Sequence, residues 1–313
     1  MTDAGLCAVC EQPLDIGSSV CRACGADGVN DAPLDEQVYI DAEMQLDRLG
    51  SWSNIKHDIL DAYGSAYTTI LRKQAFVKRL VYTDAFAGAG VAEERDTGEL
   101  IAGSPMRALE IEPPFDELHF IERNQQKAQL LTRITSSDPR AQVHVGESDP
   151  ILRKVLARCR YKDYARGLCL LDPYGLSVDW SLISEIGRMG SVEIFFNFMI
   201  VGANRNVLWS DASRVSEQQK LLMDKVWGDR SWVDAAYRKE QDLFGADRFF
   251  KRTNEELISA YCQRLKQIAG FKCVPTPIPM KNTQSSTLYY LIFASPNVTG
   301  AKIVGDIFSK YRV

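Results

Sequence analysis

The sequence predicts an α/β fold, a largely parallel sheet with helices on both faces, behind a small cysteine-rich head. Three observations predict it. Short apolar runs alternate with segments of helical period through the body of the chain. Charged residues and glycines fall at the carboxyl ends of those runs. Four of the eight cysteines lie within the first 24 residues. With 313 residues, 45% hydrophobic and 25% charged, the chain can build a large core. A net charge of −4 excludes a uniformly basic nucleic-acid binder, though not a local basic patch. The most apolar stretch, Val192–Ala203, is shorter than the roughly 20 residues of a membrane helix and contains Glu193 and Asn197. Met1-Thr2-Asp3 carries no basic leader. A cytoplasmic protein with no membrane association is the expectation.

The head comes first. Cys7, Cys10, Cys21 and Cys24 form two C-x2-C pairs separated by ten residues. Each pair sets two thiolates on one side of a tight turn, and two pairs close a tetrahedron around Zn2+. With almost no aliphatic core, residues 1–36 need metal binding to fold, which predicts a structural zinc ribbon. Four protein ligands leave no open position for catalysis. Residues 1–36 carry seven acids and one base, a charge of −6, which leaves +2 for residues 37–313. So acidic a head suits a protein contact or an intramolecular lid better than DNA phosphates. The linker Gly25–Asp35 is rich in Gly, Asp, Asn and Pro. Cys159, Cys169, Cys262 and Cys273 have no ligand spacing and read as ordinary thiols.

In the body, Ile55, Ile59, Leu60, Tyr63, Tyr67, Ile70 and Leu71 recur at helical steps and predict a helix over 54–80 with Ser53 as N-cap. Leu80–Phe86 predicts a strand that ends in the small-residue loop Ala87-Gly88-Ala89-Gly90. Strands follow at Leu118–Ile121, Val143–Val145, Gly167–Leu171 and Val192–Phe198, with helices at 124–134, 149–160 and 180–188 between them. A polar helical stretch, within an insert over about 204–268, precedes a late strand at Ser286–Ala294. Five βα repeats with apolar strands imply a parallel sheet covered on both faces. Ligands then sit at the carboxyl ends of the strands. Asp84, Gly88 and Gly90, Glu122, Glu147–Asp149, Asp172–Tyr174 and Asn197 all fall there.

The glycine loop lacks the third glycine of a dinucleotide motif, and Glu93, Glu94 and Asp96 would repel a pyrophosphate. No Walker sequence is present. A cationic, phosphate-free cofactor suits such an acidic loop, and S-adenosylmethionine fits. Asp84, Ala85, Phe86, Gly88 and Gly90 would hold its amino-acid part. Glu122 with Arg123 would hold the ribose, and Glu147 with Ser148 would lie near the adenine, with Asp149 as the alternative to Glu147.

Asp172-Pro173-Tyr174 resembles the [DNS]-P-P-[YFW] signature of amino-group methyltransferases, with one proline where the signature has two. In that signature a side-chain oxygen and a backbone carbonyl accept the two protons of an exocyclic amine, and the ring stacks on the base. Positioning does most of the catalytic work. The plain alternative is a strand end capped before Gly175.

Lys56-His57, the loop at 82–90, Gly103-Ser104-Pro105, Phe120-Ile121-Glu122, Leu171–Leu176 with Asp179-Trp180, Trp227-Gly228-Asp229 through Trp232, and Leu288–Ser295 resemble the three-Cys-motif partner family. The resemblance covers about residues 50–313 and implies a Rossmann-like class I methyltransferase fold, with a radical-type three-cysteine protein as partner. The zinc ribbon is not part of that pattern. The chain also resembles ribosomal-RNA adenine methyltransferases that place a Lys-His pair before the first strand, which implies that Lys56 and His57 reach the site. The alternative is a helix-surface lysine and a packed histidine.

Together these readings give a methyltransferase acting on a nucleobase amine in DNA or RNA. Its rivals are protein or small-molecule methylation on the same fold, and a non-catalytic partner module. Two segments are basic: Arg72-Lys73 with Lys78-Arg79, and residues 153–166, where six cations face one acid. Tyr161 and Tyr164 interleave with the second, as on a phosphate-and-stacking surface. Trp209, Trp227 and Trp232 mark the insert as a target-recognition lid or as indoles that are simply buried.

Overall fold

The computed structural model describes residues 46–50, 52–210, 214–241 and 247–312. The four ribbon cysteines and the linker lie outside the described residues.

Seven strands form the main sheet. They are β1 Arg79–Asp84, β2 Glu117–Glu122, β3 Ala141–Val145, β4 Ala165–Leu171, β5 Val192–Phe198, β6 Ile278–Lys281 and β7 Thr287–Ala294. Their order is β6-β7-β5-β4-β1-β2-β3. The run β5-β4-β1-β2-β3 is parallel, as expected from the apolar repeats. β7 pairs antiparallel with β5, and β6 antiparallel with β7. This is a mixed α/β, Rossmann-like sheet.

The sheet separates two cores, because alternate side chains of each strand point to opposite faces. Leu80 and Tyr82 of β1 face one core with Leu118, Phe120, Phe195 and Phe293. Helices α1 Trp52–Arg72, α3 Gln125–Ile134 and α10 Val298–Ser309 cover that side. Tyr63 of α1 meets Phe195 and Phe293 edge-on, at 5.4 and 4.9 Å between ring centroids. Val81, Ile121, Leu171 and Phe196 face the other core, under α4 Ser148–Leu156 and α5 Trp180–Met189. Each fully buried phenylalanine contributes about 2–3 kcal/mol. A short α2, Ser104–Leu109, follows the glycine loop.

Several expectations are corrected. The first helix stops at Arg72 rather than at 80, because Gln74, Val77 and their neighbours close turns that bring the chain into β1. Ser53 lies within its first turn and is not its cap. The stretch 204–268 is not wholly helical. Among its described residues it holds α6 Ile200–Asn206, α7 Glu217–Trp227, α8 Trp232–Ala236 and α9 Asn254–Arg264, but also an antiparallel hairpin, Tyr237–Gln241 with Asp247–Lys251. Trp227 is buried against Tyr261, Trp232 is buried in the same core and Trp209 packs against it, so the indoles serve packing. No helix of the described residues is long and apolar enough to cross a membrane.

Candidate active site

A cavity of about 320 Å³ opens at the carboxyl ends of the parallel strands. The loop after β1, the turn after β4, Met199 after β5 and the first residues of β7 all line it. β7 contributes Leu288 and Tyr289 because it runs antiparallel, so its beginning lies at the rim where β5 ends.

The loop after β1 supplies Phe86, Gly88 and Gly90. Gly88 and Gly90 have φ of 63° and 79°, a left-handed region that favours glycine. Their neighbours differ. A Cβ on Gly90 would lie 2.7 Å from Leu131 and 2.8 Å from Ile134, so the packing of α3 requires this glycine. A Cβ on Gly88 would face the cavity, 3.5 Å from the Asp47 carboxylate.

Two expected acids stand one layer behind the wall. Asp84 is fully buried, and its carboxylate accepts from Ser104 Oγ at 2.5 Å and from the Phe86 N–H at 3.1 Å. Burial pushes its carboxyl up to about 6, while those hydrogen bonds pull the other way. Ser104 lines the cavity, so Asp84 meets it through that hydroxyl. Glu122 accepts from the Gly88 N–H at 2.9 Å and from the Asn124 N–H at 2.6 Å. It thereby pins the glycine loop to the start of α3, whose N-cap is Asn124. Ala85 is packed in the core and bonded to β4 through its N–H, and does not line the cavity. Arg123, Glu147 and Ser148 do not line it either. Glu147 and Arg123 face each other at 3.5 Å on the surface, with side chains 69% and 77% exposed.

Asp172, Pro173 and Tyr174 all line the cavity. The Asp172 carboxylate is held from two sides. Lys56 Nζ of α1 donates to Oδ2 at 2.5 Å, and Asn197 Nδ2 of β5 donates to Oδ1. Lys56 is almost wholly buried, with a side chain 6% exposed. His57 takes the other path offered by the sequence: it is a packed histidine behind the wall, in a small space with Ser104, Asp61 and Arg107. Burial, then the charges of Lys56 and Arg107, push its imidazole down to about 2, so it is neutral at ordinary pH.

Residues with no sequence signal complete the site. Arg48–Leu49 pairs in parallel with Val91–Glu94, which carries residues 47–49 along the glycine loop. Asp47 there accepts from Lys127 Nζ at 2.6 and 2.7 Å and from the Tyr174 hydroxyl at 2.9 Å. The Tyr174 residue is otherwise 73% exposed. Asp47 thus bridges the glycine-loop wall and the Asp172 turn. Among the described residues no group of His, Cys, Asp and Glu is placed to hold a metal ion.

No family model and no curated protein matches the chain. Solved structures do resemble it. One is Legionella pneumophila protein LPL1258, of family-model DUF519, at 14% identity over 83% of this chain and 92% of that one, with a TM-score of 0.48. A Listeria monocytogenes protein described as a candidate S-adenosylmethionine dependent methyltransferase has 14% identity over 75% and 97% of the two chains, with a TM-score of 0.38. The N-terminal domain of EvdMO1 with SAH bound has 10% identity over 75% and 80%, with a TM-score of 0.38. At such identities and scores these likenesses carry no argument about activity, which rests on the chain's own residues.

Proposed function

We propose that this protein transfers a methyl group from S-adenosylmethionine to an exocyclic amine, most naturally that of a nucleobase. One observation carries the reading: the glycine loop, Ser104 and Asp172-Pro173-Tyr174 line a single cavity at the carboxyl rim of the sheet. The donor set fits the cofactor. Small residues let a ligand approach the backbone, Asp84 stands behind Ser104 to favour an ammonium, and the Glu122 carboxylate shapes the loop beside it. Phe86, Gly88, Gly90 and Ser104 would hold the cofactor, which supplies an electrophilic methyl on a sulfonium.

The chain's own work is positioning. A carboxylate offers about four acceptor sites. Lys56 and Asn197 take one on each Asp172 oxygen, which leaves one on each for the incoming amine. Two donors clamp the carboxylate in one orientation, so the amine lone pair meets the methyl without a search. Pro173 lines the same cavity, and its backbone carbonyl is the second acceptor for the amine. The Tyr174 ring, exposed at the cavity mouth, offers a face for stacking, and its tether to Asp47 fixes it there.

Calorimetry with S-adenosylmethionine, followed by transfer of a labelled methyl to RNA, DNA or protein, tests the reading. Micromolar binding and labelled nucleic acid are expected. The absence of binding at high ligand would leave only a non-catalytic module, such as a partner for a three-cysteine protein.

We also assign a structural Zn2+ to Cys7, Cys10, Cys21 and Cys24, on the donor chemistry of two C-x2-C pairs. Elemental analysis should find one zinc per chain, and its loss with Cys7→Ser would support these ligands. Metal-free protein with full secondary structure in the head would remove the assignment.

A further inference from the structure

We propose that the edge of the sheet opposite the cavity binds a single-stranded segment of nucleic acid, with Phe76, Tyr161 and Tyr164 as stacking platforms. The purpose of this surface rests on the methyl-transfer reading above; its existence does not. β1 and β4 begin here, at Arg79 and Ala165, which lie side by side. The seven residues of β4 put this edge about 20 Å from Asp172.

The three rings are 52%, 55% and 54% exposed, an unusual cost in water for so close a group. Two of them are preorganised. The Arg166 guanidinium, buried beneath them, lies 3.7 Å from the Tyr161 ring centroid and 5.6 Å from that of Phe76. It also donates to the Ala165 carbonyl at 2.7 Å, so it cannot swing away to reach a phosphate. The third ring is held under strain. Tyr164 has φ of 52°, a region costly for a bulky side chain and relaxed for glycine. Its carbonyl accepts from the N–H groups of Lys78 and Arg79, which lock that conformation. The fold needs only a left-handed backbone there, not an aromatic ring facing water. Strain of this kind at an exposed residue points to a function for the side chain.

The charge around the rings is positive. Lys73, Lys78, Arg160 and Lys162 are exposed and make no ion pair among the described residues. Asp163 is the one acid within residues 153–166. Of the other cations that the sequence placed nearby, Arg72 is committed to Asp116, Arg153 to Asp149 and Glu185, and Arg79 and Arg158 to Glu117, while Lys154 is exposed with no ion pair among the described residues. Exposed aromatic faces between unpaired cations match unstacked bases on a phosphate backbone, and not a duplex, whose bases are already stacked.

The test uses the full-length protein and a fluorescein-labelled strand of about 20 nucleotides, as RNA and as DNA, read by anisotropy. Tyr164→Gly is the decisive variant, because it removes the ring and relieves the backbone. Affinity should fall about 5- to 100-fold while the melting temperature holds or rises. Lys78→Glu with Lys162→Glu should flatten the salt dependence of binding. The sugar bound more tightly identifies the nucleic acid. Unchanged affinity in Tyr164→Gly, or equal binding of a duplex of the same sequence, overturns the proposal. A parallel titration with S-adenosylmethionine separates the two readings. Tyr164-dependent strand binding without cofactor binding removes the enzyme and keeps the surface; cofactor binding with no Tyr164 effect removes the surface alone.

Discussion

Replacing Asp172 should damage the fold as well as the chemistry, and the structure says how to tell the two apart. Lys56 has a side chain only 6% exposed, and Asp172 is its ionic partner, with a side chain 27% exposed. Asp172→Asn leaves the lysine charge in place without a counter-charge. Breaking a fully buried pair costs about 3–5 kcal/mol. Partial solvent access on the Asp172 side reduces this to about 2–3 kcal/mol. Lys56→Met removes the charge that needs pairing and should cost about 1 kcal/mol, since Asp172 keeps Asn197 and some water. The double variant should then recover about 2 kcal/mol relative to the sum of the singles. Urea denaturation of the four proteins measures this directly. Additive singles, or an Asp172→Asn cost below about 0.5 kcal/mol, would refute the coupling. Asn still offers a side-chain oxygen to the amine, so the chemistry is isolated by Asp172→Ala on the Lys56→Met background. A variant of that kind that folds, binds S-adenosylmethionine and still transfers methyl groups would take Asp172 out of the mechanism.

Other consequences follow from buried carboxylates and crowded glycines. Burial pushes the Glu193 carboxyl from 4.5 up to about 7, against hydrogen bonds from Ser295 and Tyr63. The folded chain therefore holds a proton that the unfolded chain has released, so stability is full below about pH 4.5 and is lost as pH rises to about 7, by about 3 kcal/mol in all. Glu193→Gln keeps the shape without the charge and should lose that part of the slope in denaturation series from pH 5 to 8; a slope equal to the parent's would contradict the assignment. Gly228, the C-cap of α7, has φ of 100°, and a Cβ there would fall 2.2 Å from the Trp180 ring. Gly228→Ala should cost about 2–4 kcal/mol and shift the tryptophan emission, and a neutral result would mean that the ring moves freely. Gly90→Ala meets Leu131 and Ile134 besides a φ of 79°, so it should lower stability and cofactor affinity together. Thermal melting with and without S-adenosylmethionine checks both, and a variant that is stable yet binds poorly would mean that Leu131 and Ile134 give way and that Gly90 matters through ligand contact alone.

Much of the layout was legible in the amino-acid order. β5 reads as a nearly unbroken apolar run because both its faces are covered, and the same logic exposes β1, β2 and β4. Strand ends then locate the rim, so Phe86, Gly88, Gly90 and Asp172–Tyr174 could be nominated without coordinates. β6 escaped notice because Ile278-Pro279-Met280-Lys281 carries a proline and is short, which an edge strand tolerates. The insert hairpin escaped because its strands are polar and half of it reads equally well as helix.

Local pattern determined the strands, the turns and the residues that crowd their ends. Only the tertiary structure decided which of those residues touch. Lys56 lies 116 positions from Asp172, and Asp47 lies 127 positions from Tyr174. It also placed Asp84 and Glu122 behind the wall, buried His57, and carried the basic aromatic cluster to the far edge. The physical reason is that periodicity reports how a segment meets the core, one face at a time. A polar contact between distant segments depends on how strands and helices are ordered and packed, which no single segment encodes.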